Sequence, residues 1–313
     1  MAHPTNKNQH HSATTPQHVA GDFVMYELRV YNDVDYSSVQ QGGKLLKLEV
    51  LGTVQDGGVP HMGCSCDLCE SAREDCQNQM YVGALMVKEC GEEKSVRYLI
   101  DATPDIRHQV GGETVDGVFV SHGHLGHIAG LPFFGTEAMD TDDLSVYCTP
   151  QMRDYIMNND PFRLLNDKGQ IQLHETDEGE SVDMMSGSIE FREVVHRYVN
   201  TDTVSFMIEG SERTVYYLSD IDEWTSEALE NVREADVAIV DGTFYSRDEI
   251  DRYDEVPHPC IKETMEVTED FDTDIRFIHL NHTNPALREE SDERAEIRDR
   301  GYDVVERGME IEL

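Results

Sequence analysis

The sequence predicts an α/β domain of the layered (α+β) kind, and three observations carry that prediction. Apolar runs of strand length begin at Lys44 and recur to the last residues. The early runs follow one another closely, as hairpin strands do, whereas the later ones alternate with helical stretches. Several runs end on His or Asp, the placement that builds a site along one edge of a layered sheet.

Residues 1–22 are rich in His, Thr, Gln and Asn and lack an apolar period, so a disordered tail is expected, with His10 and His11 as solvated residues. Residues 23–44 are mixed and support no assignment, and the folded domain is expected over 45–313. Lys44–Leu51 alternates as a strand does. Val82–Lys88 and Arg97–Ile100 read as strands, the second ending at Asp101. Gly117–Ser121 is a strand that runs into a His-rich loop. Helices are expected near Ala129–Met139 and Pro150–Asn158, with a strand at Leu144–Cys148 between them. The second half repeats the mixture. Strands are expected at Ile189–Val195, Thr203–Glu209 and Thr214–Leu218, then a helix at Glu223–Val232 and a strand at Val237–Val240. A helix near Ile261–Val267, a strand at Ile275–Leu280 and a hairpin-like pair over Tyr302–Leu313 complete the reading.

Charge says less than it promises. The 313 residues carry 63 Asp+Glu against 25 Lys+Arg, a formal net charge of −38, and only 7 of the basic residues are Lys. An apolar fraction of 38%, gathered in runs, excludes a wholly disordered acidic polymer. No run approaches the roughly 20 residues that span a bilayer. The start shows neither a basic n-region nor an apolar h-region, so a cytoplasmic protein is expected. Excess carboxylate disfavours non-specific contact with nucleic acid or anionic membrane. Acid with little Lys also matches a cytoplasm at molar salt, where the Debye length is about 3 Å and self-repulsion is screened. On that halophilic reading the charge reports habitat rather than substrate. A small-molecule substrate is expected, with a homodimer left open.

The sharpest local feature is Ser121-His122-Gly123-His124-Leu125-Gly126-His127, three imidazoles within six residues directly after an apolar strand. A glycine-relieved loop there can turn several imidazoles towards one point, and imidazole is the commonest ligand for zinc, manganese or iron. His196, Asp220 and His279 also follow apolar strands. Taken alone, His196 or Asp220 is more often a capping or surface residue, and it is the set that carries weight. The seven cysteines are odd in number, and Cys64-Ser65-Cys66-Asp67-Leu68-Cys69 crowds three of them together. Such a cluster reads as a tetrahedral zinc site before a disulfide framework. Cys76 is a fourth-ligand candidate from spacing alone.

His122-Gly123-His124-Leu125-Gly126-His127 resembles the His-x-His-x-Asp-His signature of the metallo-β-lactamase superfamily, with Asp101, His196, Asp220 and His279 resembling its other motifs in order. The resemblance implies an αββα sandwich. It implies one catalytic metal on His122, His124, His196 and Asp220, and a second on His127, Asp220 and His279. Asp101 would stand behind the ligands and orient one of them. Gly126 departs from the signature, since the family has there an Asp that binds the second metal. The resemblance therefore implies a weakened second site, and one or two Zn2+, Mn2+ or Fe2+. Asp222 could compensate if the backbone at Asp220 is extended, because alternate residues share a face.

The cysteine cluster, Leu51–Pro60 before it, Phe277–Pro285 and Gly308–Leu313 together resemble a narrower branch. It comprises the pyrroloquinoline quinone biosynthesis protein B proteins and the cyclic-phosphate phosphodiesterase of the carbon–phosphorus lyase pathway. The resemblance runs from about Leu45 to the C-terminus. It implies a structural Zn2+ on Cys64, Cys66, Cys69 and His282, with His282 preferred to Cys76. It also implies His258, in Pro257-His258-Pro259, as a general acid, beside the equal alternative of a rigid loop residue. Asp241-Gly242-Thr243-Phe244 reads as a pocket wall or a turn. The implied activity is metal-dependent hydrolysis of a small phosphodiester or ester, with an iron-dependent oxidoreductase or oxygenase of cofactor synthesis as the alternative. A metal-stabilised scaffold is a third class. The charge generates its own expectation: the unfolding midpoint rises as KCl is raised towards molar concentrations, and a protein most stable in dilute buffer overturns the halophilic reading.

Overall fold

Alternation in the first strand sets the architecture. Leu46, Leu48 and Val50 are buried, while Lys47 and Glu49 between them are half-buried. The structure is a computed structural model that describes residues 45–90, 95–197, 201–251 and 253–313. The tail expected over 1–22, with His10 and His11, and the extension over 23–44 lie outside the described residues.

The strands among the described residues are β1 (Leu45–Gly52), β2 (Ala84–Cys90), β3 (Ser95–Ile100), β4 (Gly117–Phe119), β5 (Leu144–Cys148), β6 (Ile171–Glu175), β7 (Ser181–Asp183), β8 (Ser188–Glu193), β9 (Val204–Glu209), β10 (Thr214–Leu218), β11 (Val237–Asp241), β12 (Asp274–Ile278), β13 (Asp303–Val304) and β14 (Glu310–Glu312). The α-helices are α1 (Asp67–Glu74), α2 (Ile106–Gln109), α3 (Leu125–Ile128), α4 (Pro150–Asn158), α5 (Phe162–Asp167), α6 (Ser226–Glu234), α7 (Ile261–Val267) and α8 (Asp292–Asp299).

They form two seven-stranded sheets, in the orders β14-β1-β2-β3-β4-β5-β6 and β13-β12-β11-β10-β9-β8-β7. Each sheet is antiparallel at one end and parallel at the other, with the change at β3 in the first and β10 in the second. The sheets bury a shared apolar layer that includes Leu48, Leu85, Ile100 and Phe119 from one and Phe191, Phe206, Tyr217 and Ile239 from the other. The outer face of the first sheet packs Met86, Leu99 and Val118 against Ile106 of α2, Met152 and Ile156 of α4, and Phe162 and Leu165 of α5. The outer face of the second packs Tyr216, Ala238 and Phe277 against Val232 of α6, Ile261 and Met265 of α7, and Ile297 of α8. Helix, sheet, sheet, helix is the αββα order expected. Among the described residues no helix is long and apolar enough to cross a membrane.

Three expectations need correction. The helix foreseen over Ala129–Met139 is absent. Gly130, Pro132 and Gly135 interrupt it, and the chain forms the four-residue α3 and then a 3-10 turn at Leu131–Phe134. Gly130 must lack a side chain, since a Cβ there would fall 2.3 Å from the Thr103 carbonyl oxygen. The pair over Tyr302–Leu313 is not a hairpin: β13 joins the second sheet beside β12 and β14 crosses to the first beside β1. Asp222 is not on an extended strand with Asp220, because β10 ends at Leu218.

At the centre of the shared layer Phe119 stacks on Tyr147 with ring centroids 4.7 Å apart and meets Phe206 edge-on at 6.0 Å. Phe119→Ala is expected to cost about 3–5 kcal/mol, read as a lowered denaturation midpoint with an unchanged slope.

Candidate metal centre

Parallel strands deliver their carboxyl ends to one place. Asp101 follows β3, Ser121 and His122 follow β4, Asp220 follows β10, Asp241 ends β11 and His279 follows β12. Two of these residues hold left-handed backbone, Asp101 at φ 68° and His279 at φ 65°. That region is uncommon outside glycine, and Asp and His tolerate it better than most. Neighbours hold both conformations. Asp101 accepts from Ser121 N at 2.8 Å and Ser121 Oγ at 2.9 Å. Leu280, next to His279, is paired to Val54, donating to the Thr53 carbonyl at 3.1 Å.

One group comprises His122, His124, His196 and Asp220, whose ligating atoms lie within 4.8 Å of one another. His122 Nε2 is 2.9 Å from His124 Nδ1, and His196 Nε2 is 3.2 Å from the same nitrogen. Ser121 Oγ takes His122 Nδ1 at 3.0 Å, which leaves Nε2 facing the group. Asp222 Oδ1 lies 2.8 Å from His196 Nδ1 and so stands behind that ring.

The second group holds a residue that sequence reasoning missed, Asp56, together with His127 and His279. Asp56 Oδ1 is 3.5 Å from His127 Nε2 and 3.4 Å from His279 Nε2. His127 Nδ1 donates to Asp101 Oδ2 at 2.7 Å, and Thr243 Oγ1 sits 3.0 Å from His279 Nδ1. Both rings therefore turn Nε2 inward. Asp220 lies between the groups. Its Oδ2 is 3.2 Å from His127 Nε2 and 3.4 Å from His279 Nε2, and its Oδ1 is 3.9 Å from His196 Nε2.

The electrostatics ask for cations. Asp220 Oδ2 and His127 Nε2 are buried, and neither has a hydrogen-bond partner of proper geometry among the described residues. Burial opposes ionisation of Asp220, yet His279 and His127 hold it well below the usual carboxylate range. Asp56 behaves alike, with burial overcome by the hydrogen bonds of His127 and His279. In the first group burial pushes His122 well down, aided by His127, and burial with His196 pushes His124 down to about 4. Those imidazoles are neutral at neutral pH, as ligands must be. In the second group burial is overcome the other way. Asp101 and Asp220 raise His127 well above its ordinary value, and Asp220 and Asp56 raise His279. Two imidazoles and two carboxylates facing one point suit a divalent first-row metal, and protons hold that charge balance otherwise.

Beside these groups sits His258, 5% exposed, its Nδ1 donating to Asp241 Oδ2 at 2.6 Å. Asp241 is fixed by the backbone N–H groups of Ile221 at 3.1 Å and Thr243 at 2.8 Å. Arg197 Nη2 donates to His258 Nε2 at 2.5 Å. A cleft of about 350 Å³ opens here, walled by Asp222, Trp224, Arg247, Tyr253 and His258. Sequence reasoning left Asp241 open, although it ends an apolar strand as Asp101 and Asp220 nearly do. Arg197 carried no such signal.

The cysteine cluster is a separate group. The ligating atoms of Cys64, Cys66, Cys69 and His282 lie within 4.8 Å of one another, with Cys69 and Cys66 Sγ 3.8 and 4.0 Å from His282 Nδ1. Tetrahedral zinc with Zn–S near 2.3 Å puts such atoms about 3.5–3.8 Å apart. Cys66 caps α1, and against the effect of burial the Cys69 backbone N–H draws its thiol pKa down. Burial raises Cys69 to about 11. Cys76 is exposed and outside the group.

A two-layer sheet edge lined with His and Asp defines a metal-binding αββα protein. The family model for the beta-lactamase superfamily domain matches residues 96–280, and the chain belongs to that family. Coenzyme PQQ synthesis protein B of Ruegeria pomeroyi is 26% identical over 303 residues, covering 86% of this chain and 100% of that protein. The structure of Zn(2+)-bound PqqB from Methylobacterium extorquens matches with a TM-score of 0.73 at 21% identity, over 85% of this chain and 100% of that one. A diphosphatase from the PhnP family matches with a TM-score of 0.64 at 20% identity, over 86% and 97% of the two chains. At these identities the structural likenesses speak for the fold.

The raised His127 and His279 set a pH dependence. Their protons stabilise the metal-free protein below the ordinary imidazole range, and that contribution fades as pH rises through the raised values. A divalent cation must displace them, so its affinity at the second group rises with pH. Titration of metal-free protein with Zn2+ in buffers of different ionisation enthalpy is expected to show proton release that shrinks as pH increases.

Proposed function

We propose that the chain is a metal-dependent hydrolase of small phosphodiesters or related esters. The observation that carries this reading is Asp220, one buried carboxylate with an oxygen turned to each of two imidazole groups. His122, His124, His196 and Asp220 would hold one cation. His127 and His279 would hold another, sharing Asp220. Cys64, Cys66, Cys69 and His282 would hold a structural Zn2+ that ties the loop after β1 to the turn after β12. Divalent cations in such a site supply Lewis acidity and lower the pKa of water towards neutrality.

The chain's own residues supply the rest. Asp101 fixes the ring of His127, and Asp222 lies behind that of His196. His258 is placed to donate from Nε2 to a leaving oxygen, and Asp241 on Nδ1 steadies the imidazolium. Arg197 now covers Nε2, so it must turn to an anionic oxygen of the substrate before His258 can carry a proton there. Trp224, Tyr253 and Arg247 line the adjoining cleft and suit a leaving group with a flat or anionic portion.

A second reading has one specific observation in its favour. The curated relative reported above, from Ruegeria pomeroyi, is a coenzyme PQQ synthesis protein B matched along its whole length. That reading makes the chain an iron-dependent oxidoreductase or oxygenase of cofactor synthesis. Metal content paired with turnover separates the two. The hydrolase reading expects Zn2+ or Mn2+ and cleavage of bis(p-nitrophenyl) phosphate. With His258→Ala, kcat for an alkyl leaving group should fall about 10²–10⁴-fold, whereas a nitrophenyl leaving group, which needs no proton, should be spared. Ferrous iron with oxygen consumption and no ester cleavage would sink it.

A further inference from the structure

The motif that marks this family lacks its carboxylate at Gly126, yet the place where that carboxylate would act is not short of one. We infer that Asp56, 70 positions earlier in the chain, supplies the missing second-metal ligand, and that Gly126 is glycine because Asp56 fills its side-chain space. A Cβ on Gly126 would lie 2.2 Å from Asp56 Oδ1 and 3.0 Å from Asp56 Cα. The two positions therefore compete for one volume, and a side chain at 126 and the present placement of Asp56 exclude each other. The carboxylate contacts, 2.2 Å to Oδ1 and 2.5 Å to Cγ, force the Asp56 side chain out of its present place, whereas the 3.0 Å contact with Cα asks for a shift of only a few tenths of an ångström.

Asp56 is aimed by the fold rather than by chance. Gln55 N donates to the Leu280 carbonyl at 3.0 Å and Leu280 N to the Thr53 carbonyl at 3.1 Å. This short ladder sets Asp56 beside His279, the very residue it must join. The carboxylate then faces His127 and His279 together, 3.5 and 3.4 Å from their Nε2 atoms. With Asp220 Oδ2 the donor set becomes two imidazoles and two carboxylates. His127 Nε2 and Asp220 Oδ2, 3.2 Å apart and both buried without a hydrogen-bond partner among the described residues, belong to that set. The weakened second site that Gly126 implied thereby regains its missing carboxylate. Asp222, the compensating residue considered from the sequence, lies against His196 instead.

The inference rests on the reading of this edge as a metal site and not on any substrate. Its test compares wild type, Asp56→Ala, Gly126→Asp and the double variant Asp56→Ala/Gly126→Asp, each stripped with chelator, reloaded with Zn2+ and desalted. Metal content per chain and affinity by competition with a chromophoric chelator are the readouts, with thermal unfolding as the control for folding. Asp56→Ala should retain one cation fewer than wild type, its second-group affinity down by more than the roughly 10–100-fold that loss of an outer partner costs. Gly126→Asp should also lose that cation, through the clash. The double variant should regain it, because the motif carboxylate then enters the emptied volume. Wild-type zinc content and affinity in a folded Asp56→Ala protein would overturn the inference, whatever Gly126→Asp does. Failure of the double variant to bind better than Asp56→Ala would overturn the claim that the two positions exchange. Three cations in wild type without ester cleavage would refute the proposed activity and leave Asp56 in place.

Discussion

An ionised carboxylate at 3% exposure, as Asp220 is, costs several kcal/mol in desolvation unless positive charge or donors surround it. Much of the sheet edge answers that demand. Imidazoles reach it from the loop after β4 and from the turn after β12, with another beyond β8. Those imidazoles are in turn held by Asp101, Asp222 and the Thr243 hydroxyl, so the arrangement reads outward from one buried charge through its partners to theirs. Removing Asp220 would leave the first imidazole group with no carboxylate to balance a cation and the second with Asp56 alone, whereas removing an outer partner only loosens a ring.

The two sheets share a plan that explains why their ends meet. Each passes from antiparallel to parallel pairing at its fourth strand, counted from β14 in one and β7 in the other. Ligands in open α/β sheets gather outside the carboxyl ends of parallel strands, and here two such edges face each other across one apolar layer. Their contributions correspond. In the first sheet Asp101, directly after β3, fixes His127, and in the second Asp241, the last residue of β11, fixes His258. One pair serves the proposed metal centre and the other the proposed proton donor.

Residues grouped along the chain were legible, and residues grouped only in space were not. His122, His124 and His127 announce themselves by crowding, and His196, Asp220 and His279 by closing apolar runs. Asp56 sits in Gln55-Asp56-Gly57-Gly58, a turn-like stretch in an acid-rich chain, where one carboxylate resembles the rest. The only trace of it was the glycine at 126, and a glycine reports space without naming its occupant. Regular strands such as β10 and helices such as α4 and α7 matched their expected bounds, because period and caps agree there. Leu131–Phe134 misled because its apolar density outweighed Gly130, Pro132 and Gly135. The last two strands misled because alternation reveals which face is buried but not which sheet receives the strand.

The tie between the loop after β1 and the turn after β12 also has a temporal side. Asp56 and His279 are 223 residues apart, and Cys66 and His282 are 216 apart. At roughly 5–20 residues per second, a ribosome separates such partners by on the order of 10–45 s. Throughout that interval the cysteine trio lacks His282 and Asp56 lacks His279, whereas His122 and His124 are made within two residues of each other. Complete coordination at either tied site therefore waits until the turn after β12 has been made. On the proposed assignment, a cation held at either site before then lacks its C-terminal imidazole.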